Sequence, residues 1–196
     1  MKRLAIASYL PSLFKRNTSK LRTYYFPQQA YSLASISLDC LIESRIRGVI
    51  LDLDNTLISE DDRYLSPYAE AWIDKAKDLG IKFFFLSNGK RRYRVKYWSN
   101  YLDIPAINPA KKPFPNAFCQ AIKHMQLTPK QVVVIGDSLH TDILGALLVG
   151  CPSIQVASLP HPPRWWERLL GEYVQIPFPS THELWEFQPS NNYKNV

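Results

Sequence analysis

Carboxylates are concentrated at points of the chain where they could hold a cation and act as nucleophiles. Asp52 and Asp54 are separated by one residue, and Asp137 stands further along. In an extended segment the first two side chains point to the same side, and with Asp137 we expect them to bring three carboxylates into a small volume. Such a cluster requires a cation, and oxygen-only ligands favour Mg²⁺. A carboxylate shielded by a metal can attack a phosphoryl group and form an aspartyl-phosphate.

A calcium-binding loop is the other site that this spacing could form. An EF-hand loop beginning at Asp52 requires glycine at position 57 and glutamate at position 63. The chain has Leu57 and Arg63 at these positions. The EF-hand interpretation is therefore excluded.

The elements that must position these residues follow an α/β pattern. Short apolar runs alternate with amphipathic stretches from Arg47 onward, which predicts a parallel sheet covered by helices. Strands are predicted at 48–53, 81–86, 131–135 and 153–156, and helices at 66–80, 90–100, 117–127, 141–149 and 163–171. The first of these helices is expected to have Ser66 as its N-cap and Pro67 in its first turn.

Polar residues directly follow three of the predicted strands. Asp52, Ser87 and Asp137 each come after an apolar run. Because the carboxyl ends of parallel strands open at one edge of a sheet, we expect these residues to converge in a crevice there.

These residues resemble the motifs of the haloacid dehalogenase superfamily of phosphatases. Its Asp-x-Asp-x-Thr signature is met by residues 52–56, and its serine or threonine after the second strand by Ser87. Its lysine before proline is met by Lys112, and its Gly-Asp with a following aspartate by Asp137 and Asp142. The resemblance covers about residues 47 to 157. It implies a three-layer, Rossmann-like α/β fold with a central parallel sheet.

The resemblance also implies the roles of the aspartates. Asp52 would be the nucleophile, and Asp54 the acid that protonates the leaving oxygen and then the base that activates water. Asp52, Asp137 and the backbone carbonyl of Asp54 would bind Mg²⁺. Thr56 would stabilise the turn after the strand, and Asp142 would orient the motif lysine or a metal-bound water.

The other motif residues are implied to bind the phosphoryl group. Ser87 and the neighbouring Asn88 amide would hold phosphoryl oxygens, and Lys112 would offset their charge. Lys111 competes for the lysine role because the two lysines are adjacent. The family pattern favours Lys112, which immediately precedes proline.

The substrate is suggested by the absence of room for a cap domain and by a closer resemblance. The intervals in which larger members of the superfamily insert a cap have little spare length, so the site should be open to a large substrate. Residues 48–57, 108–113 and 136–142 resemble the YqeG-like proteins and the mitochondrial-type phosphatidylglycerophosphatases. This resemblance implies hydrolysis of phosphatidylglycerophosphate to phosphatidylglycerol at a membrane surface. The basic stretch at 90–94 fits a surface that faces anionic lipid head groups.

Two alternatives remain open. The same basic groups could serve a phosphatase that acts on phosphoproteins, nucleotides or nucleic-acid ends, although no specific nucleic-acid partner is expected. The chain could also be a catalytically silent adaptor that binds phosphate through the same cleft. Oligomeric state cannot be inferred from the sequence.

The 196 residues suit one phosphatase domain with two extensions. We predict a basic, aromatic N-terminal extension at 1–40, for which a membrane-associating segment and a targeting segment are both open alternatives. A core is predicted at 41–158, and a Pro- and Trp-rich C-terminal extension at 159–196 is predicted to pack on it. The formal charge is +7, and six basic residues precede Asp39, the first acidic residue.

The composition also bounds the location. No apolar run approaches the roughly 20 residues of a membrane-spanning helix, so we expect a soluble or peripherally membrane-associated protein. The three cysteines are widely separated, which favours neither a disulfide framework nor a zinc site and suggests a reducing compartment.

Overall fold

The polypeptide forms alternating strands and helices. The computed structural model describes residues 28–163, 167–188 and 193. The strands are β1 (Gln29–Ala30), β2 (Gly48–Leu51), β3 (Tyr64–Leu65), β4 (Lys82–Leu86), β5 (Ala106–Ile107), β6 (Val132–Gly136), β7 (Ser153–Ser158), β8 (Ile176–Pro177) and β9 (Trp185–Glu186). The helices are α1 (Leu38–Glu43), α2 (Ala69–Asp78), α3 (Arg92–Tyr101), α4 (Pro115–Met125), α5 (Leu144–Val149) and α6 (Glu167–Val174). The short 3₁₀ turns Leu33–Ser35 and Pro129–Gln131 and a π-helical turn at Leu139–Ile143 complete the described elements.

A parallel sheet organises the molecule. In the described residues its strands lie in the order β1-β7-β6-β2-β4-β5, with β8 also paired to β7, and all of these pairs are parallel. The central strand β2 pairs with β4 on one side and with β6 on the other, so Leu51 is in register with both Phe85 and Ile135. This sheet confirms the predicted α/β fold class.

Apolar residues of the central strands alternate between two cores, one on each face of the sheet. Val49 and Leu51 belong to the core that contains Trp72 of α2 and Trp98 of α3. Ile50 belongs to the other core, with residues of α4 and α5. Because successive side chains of a strand point to opposite faces, the run of apolar residues in β2 fills both cores. The result is three layers, with helices on each side of the sheet.

Two helix boundaries differ from the prediction. Ser66 does not cap α2, which begins at Ala69, because Tyr68 adopts a left-handed conformation (φ 57°) that ends the preceding turn. The helix predicted at 141–149 is divided into the π-helical turn and α5. The other predicted strands and helices are present with ends shifted by a few residues.

The terminal segments contribute to the fold. Residues 28–40, which lie within the predicted N-terminal extension, supply strand β1 and the buried side chains of Leu33 and Ile36. Residues 1–27 lie outside the described residues. In the C-terminal extension, strand β9 pairs with β3, and a helix predicted at 163–171 is observed as α6.

The intervals where a cap domain could be inserted are short. Strand β4 and helix α3 are joined by residues 87–91, and the segment between β2 and α2 contains only β3 and its turns. This agrees with the predicted capless form. No helix among the described residues is long and apolar enough to cross a membrane.

Candidate active site

Asp52 and Asp137 directly follow β2 and β6, the neighbouring central strands of the sheet. The chain order reverses between these strands, because β4 and β5 lie on one side of β2 and β6 and β7 on the other. Open α/β sheets bind ligands at such switch points. A cavity of about 510 Å³ lies here. It is lined by Asp52, Asp54, Asn55, Glu60, Asn88, Gly89, Lys90, Arg91, Lys112, Asp137, Ser138, His140, Thr141 and Gln175.

Lys112 bridges two buried carboxylates. Its Nζ donates one hydrogen bond to Asp52 Oδ1 and another, of 2.6 Å, to Asp142 Oδ1. Burial alone would lower the pKa of Lys112, but the charges of Asp142 and Asp52 raise it above its ordinary value. The ammonium therefore offsets negative charge inside the site. Lys111, the competing candidate, is exposed, so the structure places the lysine before proline against Asp52.

Asp52, Asp137 and Asp142 form a buried acidic cluster. One carboxylate oxygen of each lies within 4.8 Å of the others. Burial, with a further contribution from the charge of Asp142, raises the pKa of Asp52 well above its ordinary value and raises the pKa of Asp137 to about 7. Carboxylates crowded in this way bind protons or a cation, and three carboxylates fit the oxygen-ligand preference of a hard divalent ion.

This cluster differs from the predicted set of carboxylates. It contains the side chain of Asp142 in place of that of Asp54, which points to other partners. The π-helical turn after β6 brings Asp142 towards the site, and Gly136 makes room for it, since a Cβ at that position would lie 2.4 Å from the Asp142 carboxyl carbon. The role of the Asp54 backbone carbonyl as a metal ligand stays a prediction.

Three neighbouring side chains fix the orientation of Asp137. Ser158 Oγ and Gln175 Nε2 donate hydrogen bonds of 2.7 Å and 2.8 Å to Asp137 Oδ2. Gln155 Nε2 donates to the backbone carbonyl of Asp137 at 3.0 Å. The Ser158 hydroxyl and the Gln175 amide both donate to Oδ2 of the Asp137 carboxylate, which leaves Oδ1 for a cation. Donors of this kind hold a metal ligand in its binding orientation.

Asp54 is held by a separate set of donors. Ser87 Oγ donates to Asp54 Oδ2 at 2.8 Å, and Arg94 Nη1 contacts Asp54 Oδ1. Gly89 permits this arrangement, because a Cβ there would lie 2.7 Å from Asp54 Oδ2. Ser87 therefore bonds a carboxylate in this structure, and its predicted contact with a phosphoryl oxygen stays a prediction.

Asn88 and Thr56 support the pair formed by Lys112 and Asp52. The Asn88 side chain donates to the Lys112 carbonyl at 3.0 Å and accepts from the Lys112 amide at 2.9 Å, so it holds the lysine segment in place. Thr56 Oγ1 donates to Asp52 Oδ2 at 3.2 Å. Five of the predicted site residues line the cavity, namely Asp52, Asp54, Asn88, Lys112 and Asp137. The other three support them by hydrogen bonds: Ser87 bonds Asp54, Thr56 bonds Asp52 and Asp142 bonds Lys112.

Sequence reasoning missed several residues that contact the site. Arg94 was assigned to a basic surface helix, yet it shares the buried face of α3 with Val95 and Trp98; its position one turn before Trp98 was an available signal. Nothing in the sequence around Gln175 or Ser158 indicated that these residues would contact the site. Ser158 reaches Asp137 from the end of β7, and the contact of Gln175 depends on how the C-terminal extension folds back onto that strand.

Comparisons with known proteins agree with this geometry. The sequence model of a family described as HAD-hydrolase-like matches residues 109–168. The probable phosphatase YqeG of Bacillus subtilis is 38% identical over 137 residues, which cover 69% of this chain and 79% of that protein. A glyceraldehyde 3-phosphate phosphatase of Pyrococcus abyssi is 26% identical over 99 residues, which cover 45% of this chain and 40% of that protein.

One solved phosphatase structure is also similar to this chain. The cobalt-bound deoxy-D-mannose-octulosonate 8-phosphate phosphatase of Haemophilus influenzae aligns with a TM-score of 0.49 and 22% identity, covering 60% of this chain and 72% of that one. The sequence match to YqeG is the stronger finding because it spans most of both chains. With that match, this chain belongs to the haloacid dehalogenase family of hydrolases, as one of its phosphatases.

Proposed function

We propose that the protein is a Mg²⁺-dependent phosphatase that forms an aspartyl-phosphate on Asp52 and acts on phosphatidylglycerophosphate at a membrane surface. The observation that carries the proposal is the ammonium of Lys112 held between the carboxylates of Asp52 and Asp142, with Asp137 beside them. A phosphate dianion can approach a carboxylate nucleophile only if positive charge lies close to both anions. This site offers one fixed cation, the Lys112 ammonium, together with ligands for a second one.

The reaction would proceed in two steps. An oxygen of Asp52 attacks phosphorus, the bond from phosphorus to the glycerol oxygen breaks, and Asp54 donates a proton to that oxygen. Asp54 then takes a proton from water, whose oxygen attacks the aspartyl-phosphate and releases inorganic phosphate. Bound Mg²⁺ would be held by Asp52 and Asp137 and would neutralise charge on the phosphoryl oxygens. Lys112 keeps Asp52 oriented and partly neutralised throughout.

The access to the site supports a substrate that stays anchored in a larger assembly. Within residues 28–163, the short intervals around the cavity contain no second domain that would cover it. Lys90 and Arg91 line the cavity, and Phe114, which follows the Lys112 segment, has 68% of its surface exposed. Basic groups at the cavity and an exposed aromatic ring suit the surface of an anionic bilayer, where each basic residue contributes about 1 kcal/mol.

A substrate panel tests the proposal. Purified protein with Mg²⁺ is given phosphatidylglycerophosphate in vesicles, phosphopeptides and nucleotides, and phosphate release is measured with Asp52→Asn as the inactive control. We expect release chiefly from the vesicles and none from the variant. Faster release from phosphopeptides or nucleotides would refute the lipid substrate, and turnover that persists in the variant would refute the nucleophile. Lack of turnover on every substrate would favour a silent adaptor.

The basic N-terminal segment, residues 1–27, is proposed to bind anionic lipid. Its removal should reduce activity on vesicles more than activity on a soluble phosphate ester, because only the first requires attachment to a surface. Equal losses on both substrates would contradict this role.

A further inference from the structure

A buried arginine is fixed next to the aspartate proposed as the acid and base. Arg94 lies in the first turn of α3 and has only 1% of its surface exposed. A charged side chain is seldom buried to this extent unless it is paired. The partners of Arg94 therefore indicate what its burial serves.

The guanidinium uses all three nitrogens. Nη1 contacts Asp54 Oδ1, and Nε lies 2.7 Å from Asp62 Oδ1 as an ion pair. Nη2 donates to the carbonyl oxygens of Ile58 and Ser59 at 2.9 Å and 2.6 Å. The planar group thus ties the Asp54 carboxylate to the backbone of the turn that follows it, in a geometry that lysine cannot reproduce.

Asp62 is itself held from two sides. Its Oδ2 pairs with Arg91 at 2.6 Å, and its Oδ1 accepts a 2.9 Å hydrogen bond from the Tyr193 hydroxyl. Tyr193 belongs to the C-terminal extension and is buried. The network therefore runs from that extension through Asp62 and Arg94 to Asp54.

We propose that Arg94 is a positioning residue that holds the Asp54 carboxylate in the orientation needed for proton transfer to the leaving group. The inference rests on the proposed function, in which Asp54 protonates the leaving oxygen. Ser87 fixes the other oxygen of the same carboxylate. General acids lose most of their effect when they are displaced by about 1 Å, and Arg94 is the charged group that opposes such displacement.

The ratio of the rates on two leaving groups distinguishes positioning of Asp54 from a merely structural role, which would not change that ratio. An alkoxide departs only if it receives a proton, whereas p-nitrophenolate departs readily without one. Misplacement of Asp54 should therefore slow the hydrolysis of an alkyl phosphate much more than that of p-nitrophenyl phosphate.

The experiment compares kcat/KM on glycerol 3-phosphate and on p-nitrophenyl phosphate for Arg94→Met, Arg94→Lys and Asp54→Asn. Lys96→Met is the matched control, since Lys96 lies on the same helix but is exposed. We expect Arg94→Met to lower the alkyl rate by about 100-fold or more and the aryl rate by less than tenfold, since acid catalysis typically contributes 10² to 10⁴. Asp54→Asn should show the same selectivity, and Lys96→Met no change on either ester.

Equal losses on the two esters in a folded Arg94 variant would overturn the positioning role. Arg94→Lys keeps a buried positive charge. If Arg94→Met does not fold, the ratio of the alkyl loss to the aryl loss in Arg94→Lys tests the positioning role instead. Failure of the proposed function is distinguishable, because wild-type turnover would then be absent or insensitive to Asp52→Asn. A loss in Asp54→Asn that is equal on both esters would instead refute the acid role of Asp54.

Discussion

Replacing Asp137 by asparagine should stabilise the metal-free protein at pH 8, although it removes a proposed metal ligand. Asp137 is buried beside Asp142, and its burial is the main reason that its pKa is raised to about 7. Above that pH the folded protein must therefore keep a crowded carboxylate charged. Asparagine has nearly the same shape and can still accept hydrogen bonds from Ser158 and Gln175, but it carries no charge.

The sign and size of the effect follow from proton linkage. The unfolded chain releases this proton near the ordinary pKa of 3.8, whereas the folded protein retains it up to about pH 7. The stability contributed by the protonated form is full below about pH 4 and is lost as the pH rises to about 7. About three pKa units at about 1.4 kcal/mol each give on the order of 4 kcal/mol. Because Asp52 and Asp142 share this repulsion, we expect asparagine to recover about 1–3 kcal/mol at pH 8.

Urea unfolding in EDTA from pH 4 to pH 8, followed by tryptophan fluorescence, measures the difference. The gain of Asp137→Asn over wild type should grow as the pH rises from about 4 to about 7 and should be smallest near pH 4. Asp78→Asn, an exposed position, should change the free energy of unfolding by no more than about 0.5 kcal/mol at any pH. Saturating Mg²⁺ should stabilise wild type more than Asp137→Asn. A variant no more stable than wild type at pH 8 in EDTA would refute the electrostatic account of the cluster.

Three further substitutions test the supports of the site. Gln175→Leu should weaken Mg²⁺ binding in calorimetry by about tenfold or more, whereas Gln120→Leu, on the exposed face of α4, should not; equal affinities in the two variants would contradict the role of Gln175. Gly89→Ala should lower kcat on alkyl phosphates by at least about tenfold, because its Cβ would displace Asp54; an unchanged kcat would show that the carboxylate tolerates the shift. Lys112→Met should reduce kcat/KM by about 10² to 10³, as expected when one donor to a developing charge is lost, and a loss below tenfold would place the required positive charge elsewhere.

The convergence of the strand-end residues could be predicted from the sequence because it depends on local patterns. An apolar run followed at once by a polar residue marks the end of a buried strand, and parallel pairing brings such ends together. Asp52, Ser87 and Asp137 satisfy both conditions: Asp52 and Asp137 line the cavity, and Ser87 bonds Asp54 at its wall. The start of α2 was predicted wrongly because the left-handed backbone at Tyr68 overrides the preference of Ser66 for an N-cap.

The supporting residues could not be predicted because their partners are distant in the chain. Gln175 reaches Asp137 across 38 residues, and Arg94 reaches Asp54 across 40. The spacing of Arg94 from Trp98 indicates that Arg94 is buried but not which residue it contacts, and the sequence around Gln175 indicates neither. Arg94 was therefore interpreted as one basic residue among several, although its three nitrogens are all engaged in the interior.

The different roles proposed for the two aspartates of the first motif are consistent with their different surroundings. Asp52 is buried against the Lys112 ammonium and beside two further carboxylates. Because this crowding favours protonation, a metal ion bound by the cluster would favour the charged, nucleophilic form of Asp52. Asp54 lies outside that cluster and has each oxygen held by a separate donor, Arg94 or Ser87, at the wall of the cavity. A carboxylate held in this way can exchange a proton with the leaving oxygen without competing for the metal. Each aspartate has one buried cation beside it, Lys112 or Arg94, so the proposed division of roles rests on the other carboxylates: Asp137 and Asp142 crowd Asp52 into the cation-binding cluster and leave Asp54 outside it.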